Sequence, residues 1–221
     1  MGKIIVIEGT DCSGKETQTK LLYEKLKNLG YKVATMSFPA YDTPTGKIVG
    51  GAYLGKKEIG PCLFPEGAVH VAPEIASLYY AADRRYNLDR LLQLKEENDF
   101  LILDRYISSN MAHQGSKIVD DEKRYYIYQF IDKLEYWLLE LPKPDQTIFL
   151  HMPVEYANEL KKNRVNIDEH EKDEAYLKQS EKAYIELSEM YNWSVIECVQ
   201  EEKIKSIEDI SDEIFQILHK S

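Results

Sequence analysis

Apolar residues in this chain fall in short dense blocks, separated by longer stretches where they recur every three or four positions. Residues 3–8 form a nearly continuous apolar run, the pattern of a parallel strand buried on both faces, and a Gly-containing stretch from Gly9 to Gly14 closes it. Over 15–29 the residues Leu21, Leu22, Leu26 and Leu29 recur at helical spacing, and Gly30 stands where a helix end often takes a left-handed residue. Further strands are predicted at 33–38, 100–104, 146–150 and 194–199. Helices are predicted over 73–98, 121–140, 172–191 and 206–220. Pro61 and Pro65 mark one loop, and Pro142 with Pro144 another. Strands that alternate with helices imply an α/β fold around a parallel sheet.

Composition narrows this picture. With 221 residues, 43% hydrophobic and 30% charged, and no repeat or low-complexity tract, the expectation is a single globular domain spanning 1–221. A formal net charge of -10 repels polyanions, so nucleic acid is excluded as a partner and any phosphate must be held by a local cluster of donors. No apolar run reaches membrane-spanning length, Met1 leads directly into a strand, and Cys12, Cys62 and Cys198 lack metal-ligand spacing. The expected location is the cytoplasm, with no membrane partner.

The chemistry begins after the first strand. Gly9-Thr10-Asp11-Cys12-Ser13-Gly14-Lys15 is a Walker A frame between a strand and a helix. Its spacing lets successive backbone N–H groups curl around phosphates at a helix N-terminus, while Lys15 neutralises β- and γ-phosphate charge. The ATP-binding set is therefore residues 9 to 15 with Glu16 and Thr17. Glu16 departs from the pattern, which has Ser or Thr directly after the lysine. The ligands of Mg²⁺ stay open, with Asp11, Thr17 and Glu171 as candidates, because Mg²⁺ keeps much of its water shell. The frame makes the fold class a three-layer P-loop NTPase, with a five-stranded parallel sheet flanked by helices and a short lid. The lid candidate is the polar segment 161–173, which by its residues alone reads as a mobile lid or as a solvated turn.

Further motifs follow in order. They are Glu8-Gly9-Thr10-Asp11, Phe38-Pro39, Tyr80-Ala81-Ala82-Asp83-Arg84, Asp104-Arg105-Tyr106 with Ser109, Asn110, Ala112 and Gln114, and Leu141-Pro142-Lys143-Pro144-Asp145. The ordered set resembles the thymidylate kinase family across nearly the whole chain. That resemblance implies an enzyme transferring the γ-phosphoryl group of ATP to dTMP, with Mg²⁺ as cofactor and a homodimer as the assembly.

Residue by residue, the resemblance implies Arg105 at the acceptor phosphate, where a guanidinium grips bidentately. It implies Tyr80 stacked on the base, with Arg84, one helical turn on, and Asn110 selecting it. Phe38 and Tyr41 belong to the loop reaching the acceptor phosphate, Asp11 lies beside the sugar and metal, and Ser109, His113 and Gln114 are near the substrate. His113 stands where tyrosine or phenylalanine is usual, which leaves the deoxyribose preference open. The catalytic set is Lys15, Arg105, Asp11 and a lid arginine, Arg164, preceded by Lys161 and Lys162; Asp168 and Glu171 are acidic lid positions. Three other readings stay open: a deoxynucleoside kinase, for which Asp-Arg-Ser is expected, another nucleoside monophosphate kinase, and a non-catalytic P-loop sensor suggested by Glu16.

Overall fold

The computed structural model describes residues 2–10, 12–161 and 174–219. Five strands form one parallel sheet: β1 (Lys3–Gly9), β2 (Val33–Ser37), β3 (Phe100–Asp104), β4 (Gln146–His151) and β5 (Ser194–Glu197). Their spatial order is β2-β3-β1-β4-β5. β1 is central, with Ile5 opposite Ile102 on one side and Gln146 on the other. Chain order reverses across β1, so the carboxyl ends of β1, β3 and β4 open on the crevice where ligands bind in such sheets.

The two-residue period of the strands explains their apolar runs. Ile4, Val6, Leu101, Leu103 and Phe149 enter one core, whereas Ile5, Ile7, Ile102, Ile148, Leu150 and Ile196 enter the other. The first core is covered by α4 (Leu88–Glu97), α5 (Ile107–Gly115), α6 (Asp121–Asp132) and α8 (Glu174–Met190). The second is covered by α1 (Lys15–Asn28), α7 (Val154–Lys161) and α9 (Ile207–His219). After α2 (Pro44–Lys47), a π-helical turn at Ile48–Tyr53 and α3 (Pro73–Tyr86) build a smaller cluster around Val49, Tyr53 and Ala76.

Three predicted elements are corrected. The helix over 73–98 is two helices, because Asn87 leaves helical geometry (φ -94, ψ 7) and its side-chain amide donates to the Asp83 carbonyl at 2.8 Å. The helix over 121–140 is α-helical through Asp132 and then widens into a π-helical turn, Lys133–Leu138. The strand over 194–199 stops at Glu197, and a small antiparallel hairpin of β6 (Val199–Gln200) and β7 (Lys203–Ile204) follows. Its two turn residues, Glu201 and Glu202, have φ of 50 and 59, the left-handed pair that tight hairpins use.

Candidate active site

The phosphate loop leaves β1 at Gly9. A Cβ on Gly9 would lie 2.3 Å from the Ser13 hydroxyl and 2.8 Å from the Leu150 carbonyl, so no side chain fits there. Gly14 enters α1 with φ 80, which a Cβ would strain. Thr10 ties the loop to the end of β4, since its hydroxyl donates to the Met152 carbonyl at 2.8 Å and accepts from the Met152 N–H at 3.1 Å. The Lys15 ammonium folds back over the loop and donates to the carbonyls of Gly9 and Thr10, both at 2.8 Å. The Ser13 hydroxyl is buried without a hydrogen-bond partner among the described residues. Glu16 is exposed and pairs with Lys20 at 2.6 Å, and Thr17 beside it is exposed as well. Asp11 lies outside the described residues, as do Lys162, Arg164, Asp168 and Glu171 of the lid segment; of Lys161 only the backbone, at the end of α7, is described.

A second set of charges sits where β3 ends. The buried carboxylate of Glu8 accepts from the Tyr106 and Ser109 N–H groups at 2.9 and 3.1 Å, and from the hydroxyls of Ser108, Ser109 and Tyr184 at 2.7, 2.6 and 3.2 Å. That grip shapes the turn into α5 and leaves Arg105 in the left-handed region at φ 65. The Arg105 guanidinium contacts the Ser109 hydroxyl at 3.3 Å, His113 Nε2 at 3.2 Å and the Tyr184 hydroxyl at 3.4 Å. Burial raises the carboxyl of Asp104, Arg105 and Lys15 draw it back down, and Glu8 and Glu16 push it up; the net direction is upward. β1 and β3 pair with Ile7 opposite Asp104, so the phosphate loop and the Arg105 turn leave the sheet side by side.

Beside Arg105 opens a cavity of about 260 Å³. It is lined by Tyr80 and Arg84 of α3, by Arg105, by Ser109, Asn110, His113 and Gln114 of α5, and by Phe38 and Tyr41 of the loop after β2. Every described member of the substrate set expected from the sequence thus faces one space. Tyr80, rather than its neighbour Tyr79, lines it; Tyr79 stacks on Tyr53 at 5.8 Å in the adjacent apolar cluster. The Tyr80 hydroxyl is raised well above its ordinary pKa by burial, with the Tyr53, Tyr41 and Tyr176 phenols adding to the shift.

α3 holds the cavity together from two adjacent residues. Asp83 accepts from the Ala40 N–H at 2.8 Å and the Thr45 hydroxyl at 2.9 Å, fixing the loop that carries Tyr41. Arg84 donates through Nε and Nη2 to Glu135, the Nη2 bond being 2.6 Å, and both side chains are buried.

Several cavity residues were not found by sequence reading: Tyr53, Leu54, Lys56, Lys117 and Tyr176. Lys117 is held by the Tyr53 hydroxyl at 3.1 Å and the carbonyls of Ala68 and Val71 at 3.1 and 3.0 Å, and burial pushes it down to about 8. Tyr176 at the start of α8 meets His113 Nδ1 at 2.8 Å. These residues lie on segments without a motif, and only long-range packing brings them together.

A phosphate loop at the head of a parallel sheet, with an arginine-rimmed cavity beside it, defines a P-loop nucleoside monophosphate kinase. The family described as thymidylate kinase matches residues 7–214. A probable thymidylate kinase of Thermococcus kodakarensis is 33% identical over 195 residues, covering 85% of this chain and 84% of its own. The thymidylate kinase of Brachyspira hyodysenteriae is 29% identical over 222 residues, covering 100% and 95%. The solved thymidylate kinase of Candida albicans superposes with a TM-score of 0.74 at 26% identity, over 99% of this chain and 92% of that one. This chain belongs to the thymidylate kinase family.

Proposed function

We propose that the protein transfers the γ-phosphoryl group of ATP to the phosphate of dTMP, giving dTDP and ADP. The observation that carries this reading is the register of β1 and β3, which sets Asp104 opposite Ile7, so that the chain reaches Arg105 beside the start of the phosphate loop. Lys15 belongs to the donor loop and Arg105 to the rim of the acceptor cavity, so the two phosphate sites converge.

In this reading Lys15 leaves its resting contacts on the Gly9 and Thr10 carbonyls for the donor phosphates. Arg105 grips the acceptor phosphate with Tyr41, Tyr80 stacks on thymine, and Arg84 and Asn110 meet the base edge. His113 and Ser109 hold the Arg105 guanidinium from α5. Transfer needs alignment and charge neutralisation, and Arg164 of the lid segment supplies a further cation.

Mg²⁺ fits the donor set. Among the described residues no cluster of three metal-binding side chains occurs; at nucleotide sites Mg²⁺ is held by one or two carboxylates with phosphate oxygens and water. Asp104 at the end of β3 and Glu16 at the start of α1 line one cleft, so they are the described carboxylates that would hold the ion. When bound, Mg²⁺ neutralises charge on the β- and γ-phosphates.

The partners proposed are dTMP, ATP and a second copy of the chain. Tyr125, Tyr126, Trp137 and Leu138 are exposed while Ile127, Tyr128 and Ile131 are buried, so the aromatic stretch serves the core and an outer apolar face together. The proposed location is the cytoplasm; no helix among the described residues is long and apolar enough to cross a membrane.

ADP release with purified protein tests the activity. Release that depends on dTMP, and is absent with thymidine or no acceptor, is expected. Release with thymidine but not dTMP would make the protein a nucleoside kinase instead, and sedimentation at a monomer's mass would remove the dimer.

A further inference from the structure

The polar end of the cavity is organised by a residue that belongs to no motif. Glu135 sits on the π-helical turn Lys133–Leu138 and is fully buried. Its carboxylate takes the Nε and Nη2 protons of Arg84 and, at 2.8 Å, the side-chain amide of Asn110. The same Asn110 Nδ2 donates to the Ser77 carbonyl at 3.2 Å. A carboxylate and a carbonyl can only accept, so the side of Asn110 facing them has to be its NH₂ group. The Asn110 oxygen is thereby turned away, and it has no hydrogen-bond partner among the described residues although it is buried. Arg84, with two of its three nitrogens engaged by Glu135, keeps Nη1 with one long contact of 3.4 Å to the Tyr106 carbonyl. Arg84 and Asn110 both line the cavity.

The result is an ordered pair, a donor from Arg84 beside an acceptor from Asn110. A thymine or uracil edge offers the complement, a carbonyl oxygen next to an N–H. A cytosine edge offers the reverse, an amine next to a bare ring nitrogen. We infer that Glu135 is a specificity-determining positioning residue, which locks Arg84 and Asn110 in the one donor–acceptor order that accepts the imide edge of thymine and opposes cytosine. The inference rests on the acceptor site proposed above. A buried group left without its partner is costly, so such a site rejects a mismatched edge far more strongly than a missing methyl group.

Glu135→Gln tests it, because the shape is kept while an NH₂ group now competes for the Asn110 amide. The measured quantity is the ratio of kcat/KM for dTMP to that for dCMP. It is expected to fall by at least about tenfold, through a higher KM for dTMP, with the KM for ATP unchanged. A folded variant with the wild-type ratio overturns the inference. Lack of dTMP turnover by the wild-type protein would instead remove the functional reading itself. Nitrogen-edited NMR of the unmutated protein gives a second measurement, independent of how the variant folds. The Asn110 side-chain NH₂ protons should be protected from water exchange before any ligand is added. Free exchange of those protons would overturn the lock.

Discussion

Glu8 holds Ser109 twice, by its backbone N–H at 3.1 Å and by its hydroxyl at 2.6 Å, although the two residues are 101 positions apart. A carboxylate on the central strand thereby sets the turn that presents Arg105. Glu8→Gln exchanges an acceptor for a donor in a site where five groups donate. Hydrogen bonds to a charged group contribute roughly 1.5–3 kcal/mol, so a loss of about 2–3 kcal/mol of stability is expected, with a raised KM for dTMP. Urea unfolding and acceptor titration measure both; an unchanged midpoint would show that the network is dispensable.

Lys15 sits on two loop carbonyls and in the proposed reaction moves to phosphate oxygens. Lys15→Ala should lower turnover at least about a hundredfold with little change in thermal midpoint. Near-normal kinetics would take it out of the chemistry.

Tyr80 offers a ring to the acceptor cavity and none to the phosphate loop. Base stacking contributes about 1–3 kcal/mol, so Tyr80→Ala should raise the KM for dTMP by roughly 5- to 150-fold and leave that for ATP in place. Equal weakening of both nucleotides would contradict the assignment.

Arg164 falls in the segment 161–173 that is expected to form a lid, and the family resemblance implies a transition-state role for it. Arg164→Ala should reduce kcat by about 10³-fold or more, with a smaller change in acceptor KM. A change in KM alone would limit it to ground-state binding.

His151 carries a pH dependence whose sign can be worked out. Burial opposes its protonation, but hydrogen bonds at 2.7 Å to Glu181 and to Glu197, with their charge, outweigh burial and raise its pKa above 6.5. The imidazolium therefore adds stability that is complete below about 6.5 and disappears as pH rises through the folded-state value. In His151→Gln the deficit in Tm should be largest in mild acid and shrink toward alkaline pH. A deficit independent of pH would mean that the charged pairing contributes nothing.

The layered sheet was legible because β1, β3 and β4 are buried on both faces, so their apolar runs have little competing explanation. Breaks inside helices were not. Asn87 is compatible with a helix by pattern, and only its side chain's bond to Asp83 turns the chain there. The phosphate loop and the DRY turn were readable because backbone geometry demands particular residue types at a fixed spacing. Glu135, Lys117, Tyr53 and Tyr176 were not, since no local rule relates a buried glutamate on one helix to an arginine 51 positions earlier on another. The tyrosine pair at 79 and 80 was separated only by the fold: both rings pack against the Tyr53 cluster, and Tyr80 of the two also lines the cavity.

The positive φ of Arg105 means that the proposed phosphate clamp is held in a backbone conformation that costs a long side chain about 1–2 kcal/mol. The contacts of its guanidinium to Ser109, His113 and Tyr184 work against that cost, and glycine would lose them while adding freedom to the unfolded chain. Arg105→Gly should therefore change thermal stability little, and a screen for heat resistance alone would pass over a position on which the proposed reaction depends.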